Sequence, residues 1–557
     1  MSSYQDEMTE IELDVRGMTC DSCAMHVVEA LRSVDGVKDA QVPGWQSGQA
    51  TVHAEAAITA EALSAAVREA GYSATVKTRQ PVGRPVSGDG EGGDYDLIVI
   101  GGGSAGFGAV IKGAELGYNV ALVEAGTIGG TCVNVGCVPS KTLIRAMETY
   151  HEAGRGRFRG VHTTPGDLNW PQVIAHKDDL VVEMRQSKYV DVLAAYPEAT
   201  YIQGYARLTG KNGVEIDGRP YTAGKIVIAT GASPWAPPIR GLAEAGYLDS
   251  TAALNLKELP RSMIVLGANA VGLELAQIYA RAGTFVTVLE LLPHIAPFED
   301  EEISAALAQY LREEGLRIVT GFQTDKVEKR RGRYLLSGTL DDAEADFEAE
   351  QLLVATGRRP NSAGMGLEEA GVKLGQRGEI LVDEHLQSTN PYVYAAGDVT
   401  GRDMFVYVAA YGGALAAENA LTNASRVYDT RYIPRITFTD PQIASTGLTE
   451  AQAREKGYQV KVSTLPLSYV PRALAARDTR GLIKLVADEA TDRLLGTHVL
   501  AAEGSEVIQT AVLALQAGYT TDDLATTLFP YLTMVEGLKL AAQTFEKDVA
   551  KLSCCAG

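Results

Sequence analysis

Six cysteines stand in the chain of 557 residues, and they come only as close pairs. Cys20 and Cys23 sit in GMTCDSC (residues 17–23). Cys132 and Cys137 sit in GGTCVNVGCVPSK (residues 129–141), and Cys554 is followed directly by Cys555. Paired thiols carry out redox chemistry, bind soft metals, or hand such metals on. The middle pair is five positions apart, so on one regular helix its members would point about 140° apart. They can meet only if Cys132 lies in a loop and Cys137 at a helix start. Pro139 suits a first helical turn and places Cys137 near the cap, where the helix N-terminus favours a thiolate. The tail pair has adjacent Cα atoms about 3.8 Å apart, below the usual disulfide range of roughly 4.4–6.8 Å. It reads as an open dithiol able to clasp a soft cation. Zn²⁺ wants four ligands in a tetrahedron; Hg²⁺ accepts two thiolates in near-linear geometry.

Elements must bring these thiols to their work. The length implies three or four domains. Residues 79–93, rich in Gly and Pro without apolar period, read as a flexible linker. Ahead of it lies a module over 8–78. Alternating Ile11, Leu13 and Val15 predict a strand, and residues 26–34 and 62–70 predict helices, the second ending at Gly71. The order β-α-β-β-α-β predicts a ferredoxin-like sandwich.

Residues 94–106 (DYDLIVIGGGSAG) run from an apolar strand into glycines. A helix follows, then a second strand ending at Glu124. This is a βαβ dinucleotide-binding unit. Gly101 makes the turn, Gly103 lets backbone approach a pyrophosphate, and Gly106 lets helix and strand pack. The helix N-terminus, at Ser104 and Ala105, faces the phosphates. Glu124 suits a ribose diol. The pattern recurs with Gly267, Asn269, Gly272 and Glu290, Asn standing for the middle glycine. An αL-tolerant Asn can make such a turn. A carboxylate at 290 accepts a 2′-OH and repels a 2′-phosphate, which favours NADH. Asp398 follows a strand, where an acid can bind a ribityl hydroxyl. The predicted class is α/β, with two Rossmann-like domains and an α+β domain after the ferredoxin-like module. The expected segments are 94–235 and 351–428 for FAD, 236–350 for NADPH or NADH, and 429–557 for an interface domain.

The chain carries 70 acidic and 50 basic residues, net −20. Such a charge argues against nucleic acid and anionic membranes as partners. It fits a well-solvated surface or adaptation to high salt. Neither a secretory signal nor an apolar run of about 18 residues is present. Sparse, closely spaced cysteines fit a reducing cytoplasm.

The module with GMTCDSC resembles heavy-metal-associated domains. Residues 94–557 resemble the flavoprotein disulfide reductases through GGTCVNVGCVPSK, ATG (355–357) and AAGD (395–398), in that order. That resemblance implies FAD in the first unit, with Gly130, Thr131, Gly231 and Asp398 among its contacts, and the nicotinamide in the second, with Gly357. It implies that Cys137 receives electrons from the flavin, that Cys132 attacks the substrate, and that Lys141 pairs with Glu274 beside the flavin ring. Reductases of disulfides carry a His-Pro near the C-terminus as general acid; here Phe529 precedes Pro530. A disulfide needs that acid, whereas a thiolate-bound metal does not.

With FPYLTMVEG (529–537) and the terminal LSCCAG, the resemblance narrows to the mercuric reductases. It implies reduction of thiol-bound Hg(II) to Hg(0), with Tyr189 and Tyr531 near the inner metal site. It also implies a homodimer in which Cys554 and Cys555 of one subunit serve the other's dithiol. Cys20 and Cys23 would capture the ion first, although copper or zinc remain alternative cargoes for such a module. A thioredoxin reductase and a non-enzymatic metal carrier are the competing classes. Phe529 and the metal module count against the first; the intact Cys132, Cys137, Lys141 and Glu274 count against the second.

Overall fold

The structure is a computed structural model that describes residues 8–55, 58–81 and 93–552. Cys554 and Cys555 lie outside the described residues. The N-terminal module has strand β1 (Met8–Arg16), helix α1 (Asp21–Arg32), strands β2 (Val37–Gln41) and β3 (Gln49–Glu55), helix α2 (Ala60–Glu69) and strand β4 (Ser73–Pro81). This is the predicted β-α-β-β-α-β order. Alternation buries Ile11, Leu13 and Val15 of β1, which meet Val27 and Leu31 of α1 and Leu63 and Val67 of α2. Ile11 lies opposite Val52 and Leu13 opposite Ala50 in the antiparallel β1–β3 pair. The Thr59 side chain caps α2 by accepting from the Ala62 N–H. Gly71 follows the helix with φ +91, a turn that a β-carbon would strain. β4 continues to Pro81, into the glycine- and proline-rich stretch.

The chain divides into two compact units. The first contains 1–137, 179–233 and 358–429. Its sheet places β5 (Tyr95–Ile100), β6 (Val120–Glu124), β7 (Ala199–Gln203) and β10 (Arg219–Ile228) in the order β7-β6-β5-β10; β8 (Ala206–Leu208) and β9 (Gly213–Ile216) extend it beyond β10. β5, β6, β7 and β10 run parallel. Such strands are covered on both faces, which explains the apolar runs of residues 97–100, 120–123 and 226–228. Leu97 and Val99 face the helical layer with Phe107, Val110, Leu415 and Ala416. Ile98 and Ile100 face the opposite core with Val123, Ile226 and Met365. β4 of the metal module lies antiparallel beside β7, with Thr78 opposite Ile202.

Helix α3 (Ser104–Glu115) crosses the helix Val406–Thr422 backbone to backbone. A β-carbon at Gly413 would stand 1.9 Å from the Ala105 carbonyl oxygen, and one at Gly108 would stand 2.4 Å from that of Ala410.

The second unit contains 138–178, 234–357 and 430–557. A parallel sheet orders its strands Arg317–Val319, Phe285–Leu289, Ser262–Leu266 and Gln351–Val354. A five-stranded antiparallel sheet orders Arg435–Thr437, Gln442–Gly447, Leu494–Ala501, Leu482–Asp488 and Val460–Pro466. Helices Gly504–Gln516 and Glu536–Gln543 complete its core around Ile483, Leu485 and Val499. Residues 138–178 cluster here because Leu143 and Met147 are buried with Leu273 and Tyr279.

Candidate functional site

Cys20 is the N-cap of α1 and Cys23 lies in its first turn. Their sulfurs are 3.1 Å apart, Cys20 exposed and Cys23 half-buried. Gly17, at φ +98, folds the loop so that its α-carbon hydrogens face the Tyr72 ring. The Cys23 thiol is held down to about 6 by the Thr19 backbone, then by the Cys20 and Tyr72 side chains. A thiol so placed is largely thiolate at neutral pH, ready for a soft ion. Tyr72→Phe is expected to raise the pH at which this thiolate forms, followed by its ultraviolet absorbance. An unmoved titration would remove Tyr72 from the site.

In the first nucleotide unit, Gly101 turns at φ +112 with room only for hydrogen against the Ala229 carbonyl. A β-carbon on Gly106 would stand 1.8 Å from the Gly101 oxygen. Gly103 is the N-cap of α3, followed by Ser104, and Gly130 packs against it: a β-carbon on Gly130 would lie 2.5 Å from the Gly103 Cα. Glu124 latches the loop, accepting from Gly102 N–H and Gly126 N–H, each at 2.6 Å.

The second unit repeats this bond for bond. Gly267 turns at φ +104, and a β-carbon on Gly272 would stand 2.0 Å from the Gly267 oxygen. Glu290 accepts from Ala268 N–H at 2.7 Å and from Leu292 N–H at 2.9 Å. Asn269 caps the helix Ala270–Arg281 at φ −98 and ψ −175, close to Gly103 at φ −84 and ψ −170. Asn269 therefore does not use its tolerance of the αL region; Gly267 carries the turn. No side chain caps either helix, so the first N–H groups of both are left to other acceptors, with glycine beside them. This cradle fits a dinucleotide pyrophosphate.

Gly231 (φ +71) and Gly357 (φ +139) mark the ends of the two crossovers. Burial pushes the Asp398 carboxyl up, against the pull of Arg358 at 3.9 Å. Arg358 also reaches the Thr131 hydroxyl at 3.4 Å and the Ala232 carbonyl. It ties the dithiol segment to Asp398, and the sequence reading passed over it although it directly follows ATG.

Cys132 is not in a loop, as the spacing argument expected, but in helix α4 (Gly130–Val135). Cys137 does open helix α5 (Cys137–Arg155), with Pro139 buried in the first turn. The angular conflict is resolved at Gly136, whose φ −132 and ψ −107 break the two helices apart. Asn134 pins α4 by donating to Ile128 and Gly130 carbonyls, and Arg185 donates to Asn134 at 3.0 Å. Tyr189 rides a single π-helical turn, Gln186–Val190, a local insertion frequent at functional sites. Its ring meets Phe107 edge-on at 4.6 Å. Burial raises its hydroxyl, against a hydrogen bond with Ser104; the nearby charges of Cys132 and Cys137 raise it further. Thus Gly103, Ser104, Cys132, Cys137 and Tyr189 share one neighbourhood in the first unit.

In the second unit Lys141 donates to Glu274 at 2.7 Å, a lysine one-third exposed against a carboxylate nearly buried. Tyr531 is 58% exposed, while Phe529 packs against the core of the interface domain.

Fold and site define a pyridine nucleotide-disulphide oxidoreductase preceded by a heavy-metal-binding module. Residues 95–413 match the pyridine nucleotide-disulphide oxidoreductase family, 433–542 its dimerisation domain, and 12–73 the heavy-metal-associated domain. The HOCl-induced flavoprotein disulfide reductase RclA from Escherichia coli superposes with TM-score 0.73 at 31% identity, covering 81% of this chain and all of that one. The mercuric reductase of Staphylococcus aureus is 45% identical over 98% of this chain and 99% of its own length. That of Streptomyces lividans is 48% identical over 83% and 98% respectively. The chain belongs to the mercuric reductase family. As such it is an oxidoreductase that takes FAD and a pyridine nucleotide, and its match to the dimerisation domain is consistent with a homodimer. Among the described residues no helix is long and apolar enough to cross a membrane.

Proposed function

We propose that this chain reduces Hg(II) held by its thiolates to Hg(0), one NAD(P)H yielding NAD(P)⁺, a proton and the two electrons the ion takes up. The observation that carries this is Phe529: a partly buried aromatic ring packed against the core stands where disulfide reductases need a proton donor. Bound FAD would supply two-electron transfer between the nicotinamide and the dithiol. Gly101, Gly103, Ser104, Ala105, Gly106, Glu124, Gly130, Thr131, Gly231 and Asp398 would hold it. Gly267, Asn269, Gly272, Glu290 and Gly357 would hold the nicotinamide.

Cys132 and Cys137 present the ion, and Tyr189 shields it from water on one side. Lys141 and Glu274 hold a fixed charge pair one helical turn beyond Cys137. Cys20 and Cys23 collect the ion. Cys554 and Cys555 of one subunit pass it to the dithiol of the other, where Tyr531 completes the site. A cytoplasmic, reducing location keeps all three pairs as thiols. Purified protein with nicotinamide, excess small thiol and HgCl₂ should consume reductant and release volatile mercury. Fast turnover of thioredoxin or glutathione disulfide without mercury-dependent oxidation would sink the proposal. Cys555→Ser should slow turnover when mercury arrives as a bulky dithiol complex; an unchanged rate would take the tail out of the route.

The nicotinamide preference follows from Glu290. Its two oxygens are fixed by Ala268 and Leu292 at the strand end, as those of Glu124 are by Gly102 and Gly126. A carboxylate fixed there accepts a ribose hydroxyl and repels a phosphate. Appreciable NADH use is expected, and Glu290→Arg should shift the ratio of kcat/KM toward NADPH by about tenfold, roughly 1.4 kcal/mol. Near-total loss of activity with NADH in the natural chain would defeat this reading.

A further inference from the structure

The helix Ala270–Arg281 turns Glu274, Gln277 and Arg281 toward the segment Phe438–Asp440. Spaced i, i+3 and i+7, they occupy roughly 60° of the helix face. Glu274 uses both oxygens: Oε1 accepts the Phe438 N–H at 2.8 Å and Oε2 accepts Lys141 at 2.7 Å. The Lys141 ammonium also lies 4.6 Å from the centre of the Phe438 ring. Phe438 therefore touches both members of the pair, one with its backbone and the other with its ring.

Phe438 is in turn fixed through Asp440. The Gln277 side-chain amide accepts the Asp440 N–H at 2.8 Å and donates to the Asp440 carbonyl at 2.9 Å. Two opposed bonds to one residue fix both its position and its rotation. Arg281 adds a bond to the Asp440 carboxylate at 2.7 Å. Glu274, Gln277 and Asp440 are each at least nine-tenths buried. Bonds in such a place are not readily exchanged for water.

We propose that Gln277 is a positioning residue for the Lys141–Glu274 pair. By clamping Asp440 to the helix it sets the Phe438 amide against Glu274 and the Phe438 ring against Lys141. It thereby fixes where the lysine charge stands on helix α5, one turn after Cys137. This rests on the reading above that the pair adjoins the flavin ring. A lysine held at one distance favours electron uptake there, and a loosened one favours it less.

The test uses the full-length, FAD-loaded protein. Gln277→Leu removes both bonds to Asp440 and leaves Arg281 in place. It should retain FAD, while the equilibrium constant for flavin reduction falls about tenfold, equivalent to about 30 mV for two electrons. In turnover kcat should fall with the KM for nicotinamide unchanged. Gln277→Glu keeps the volume but sets a carboxylate against the Asp440 carbonyl and against Glu314, which Gln277 contacts at 3.1 Å. It should shift the potential the same way, and it decides the matter if the leucine variant does not fold. Lys141→Met is titrated alongside. An unmoved potential in the Gln277 variants, with Lys141→Met shifted, overturns the role of Gln277 alone. An unmoved potential in Lys141→Met overturns the placement of the pair beside the flavin, and this proposal with it.

Discussion

Cys137→Ser is expected to abolish mercury-dependent oxidation of the nicotinamide, on the order of 10³-fold or more, while the protein still folds and binds FAD. Cys137 opens α5 and is only half-exposed, so a serine of nearly equal volume leaves the packing of Pro139, Leu143 and Met147 intact. What it removes is a soft ligand, and a hydroxyl oxygen neither ionises at neutral pH nor binds Hg(II) comparably. Cys132→Ser should cost about as much, and the double variant little more than either. Groups that act as one unit are strongly non-additive. Stopped-flow oxidation of NADH with HgCl₂ and excess thiol measures the effect. Retention of about a tenth of the natural rate by either single variant would show that the pair does not act as a unit.

The second large effect concerns stability. Arg480 donates to Asp478 and Asp440 at 2.8 Å each and reaches Glu314 at 3.1 Å. Arg281 binds the same Glu314 and Asp440, and Arg155 the same Asp478. These charges join the helix α5, the helix Ala270–Arg281 and the interface domain within the second unit. Arg480→Met leaves two buried carboxylates, Asp440 and Asp478, and the partly buried Glu314 short of a partner. Breaking such a set by removing one member costs about 3–5 kcal/mol, read by urea unfolding.

The pH dependence has a definite sign. Burial alone would raise the Asp478 carboxyl, but the hydrogen bonds and charge of Arg480, with Arg155, hold it at about 2 against an ordinary 3.8. A carboxyl depressed on folding contributes its full stability above pH 4 and loses it as the pH falls toward 2. In Arg480→Met the acid unfolding midpoint should rise. An unaltered midpoint would mean that Arg155, together with Arg157 at 3.3 Å from the carboxylate, suffices to hold Asp478.

The glycine loops, the strand-end acids and the cysteine pairs were legible in the sequence because each is written in a short window. Gly101 and Glu124, like Gly267 and Glu290, stand 23 positions apart because a turn, a helix and a strand of fixed lengths lie between them. Helix α4 was not legible: the spacing of Cys132 and Cys137 rules out one helix, but two helices broken at Gly136 satisfy it as well as a loop does. The π-turn carrying Tyr189 adds one residue per turn and leaves no mark in apolar periodicity. The ion network was invisible for another reason. Arg155 and Asp478 lie 323 positions apart, and only tertiary packing brings them together.

The near-identical conformations of Gly103 and Asn269 bear on how such chains are found and how they drift. Extended backbone at the middle of the loop accepts any residue type. The first and last glycines each meet a carbonyl oxygen closer than a methyl group can approach. Mutational freedom in the motif is therefore concentrated at its centre, a position that Asn269 occupies with no backbone penalty. A search that insists on three glycines would miss the second nucleotide unit of this chain; one that demands the outer two and the acid 23 residues on would find both.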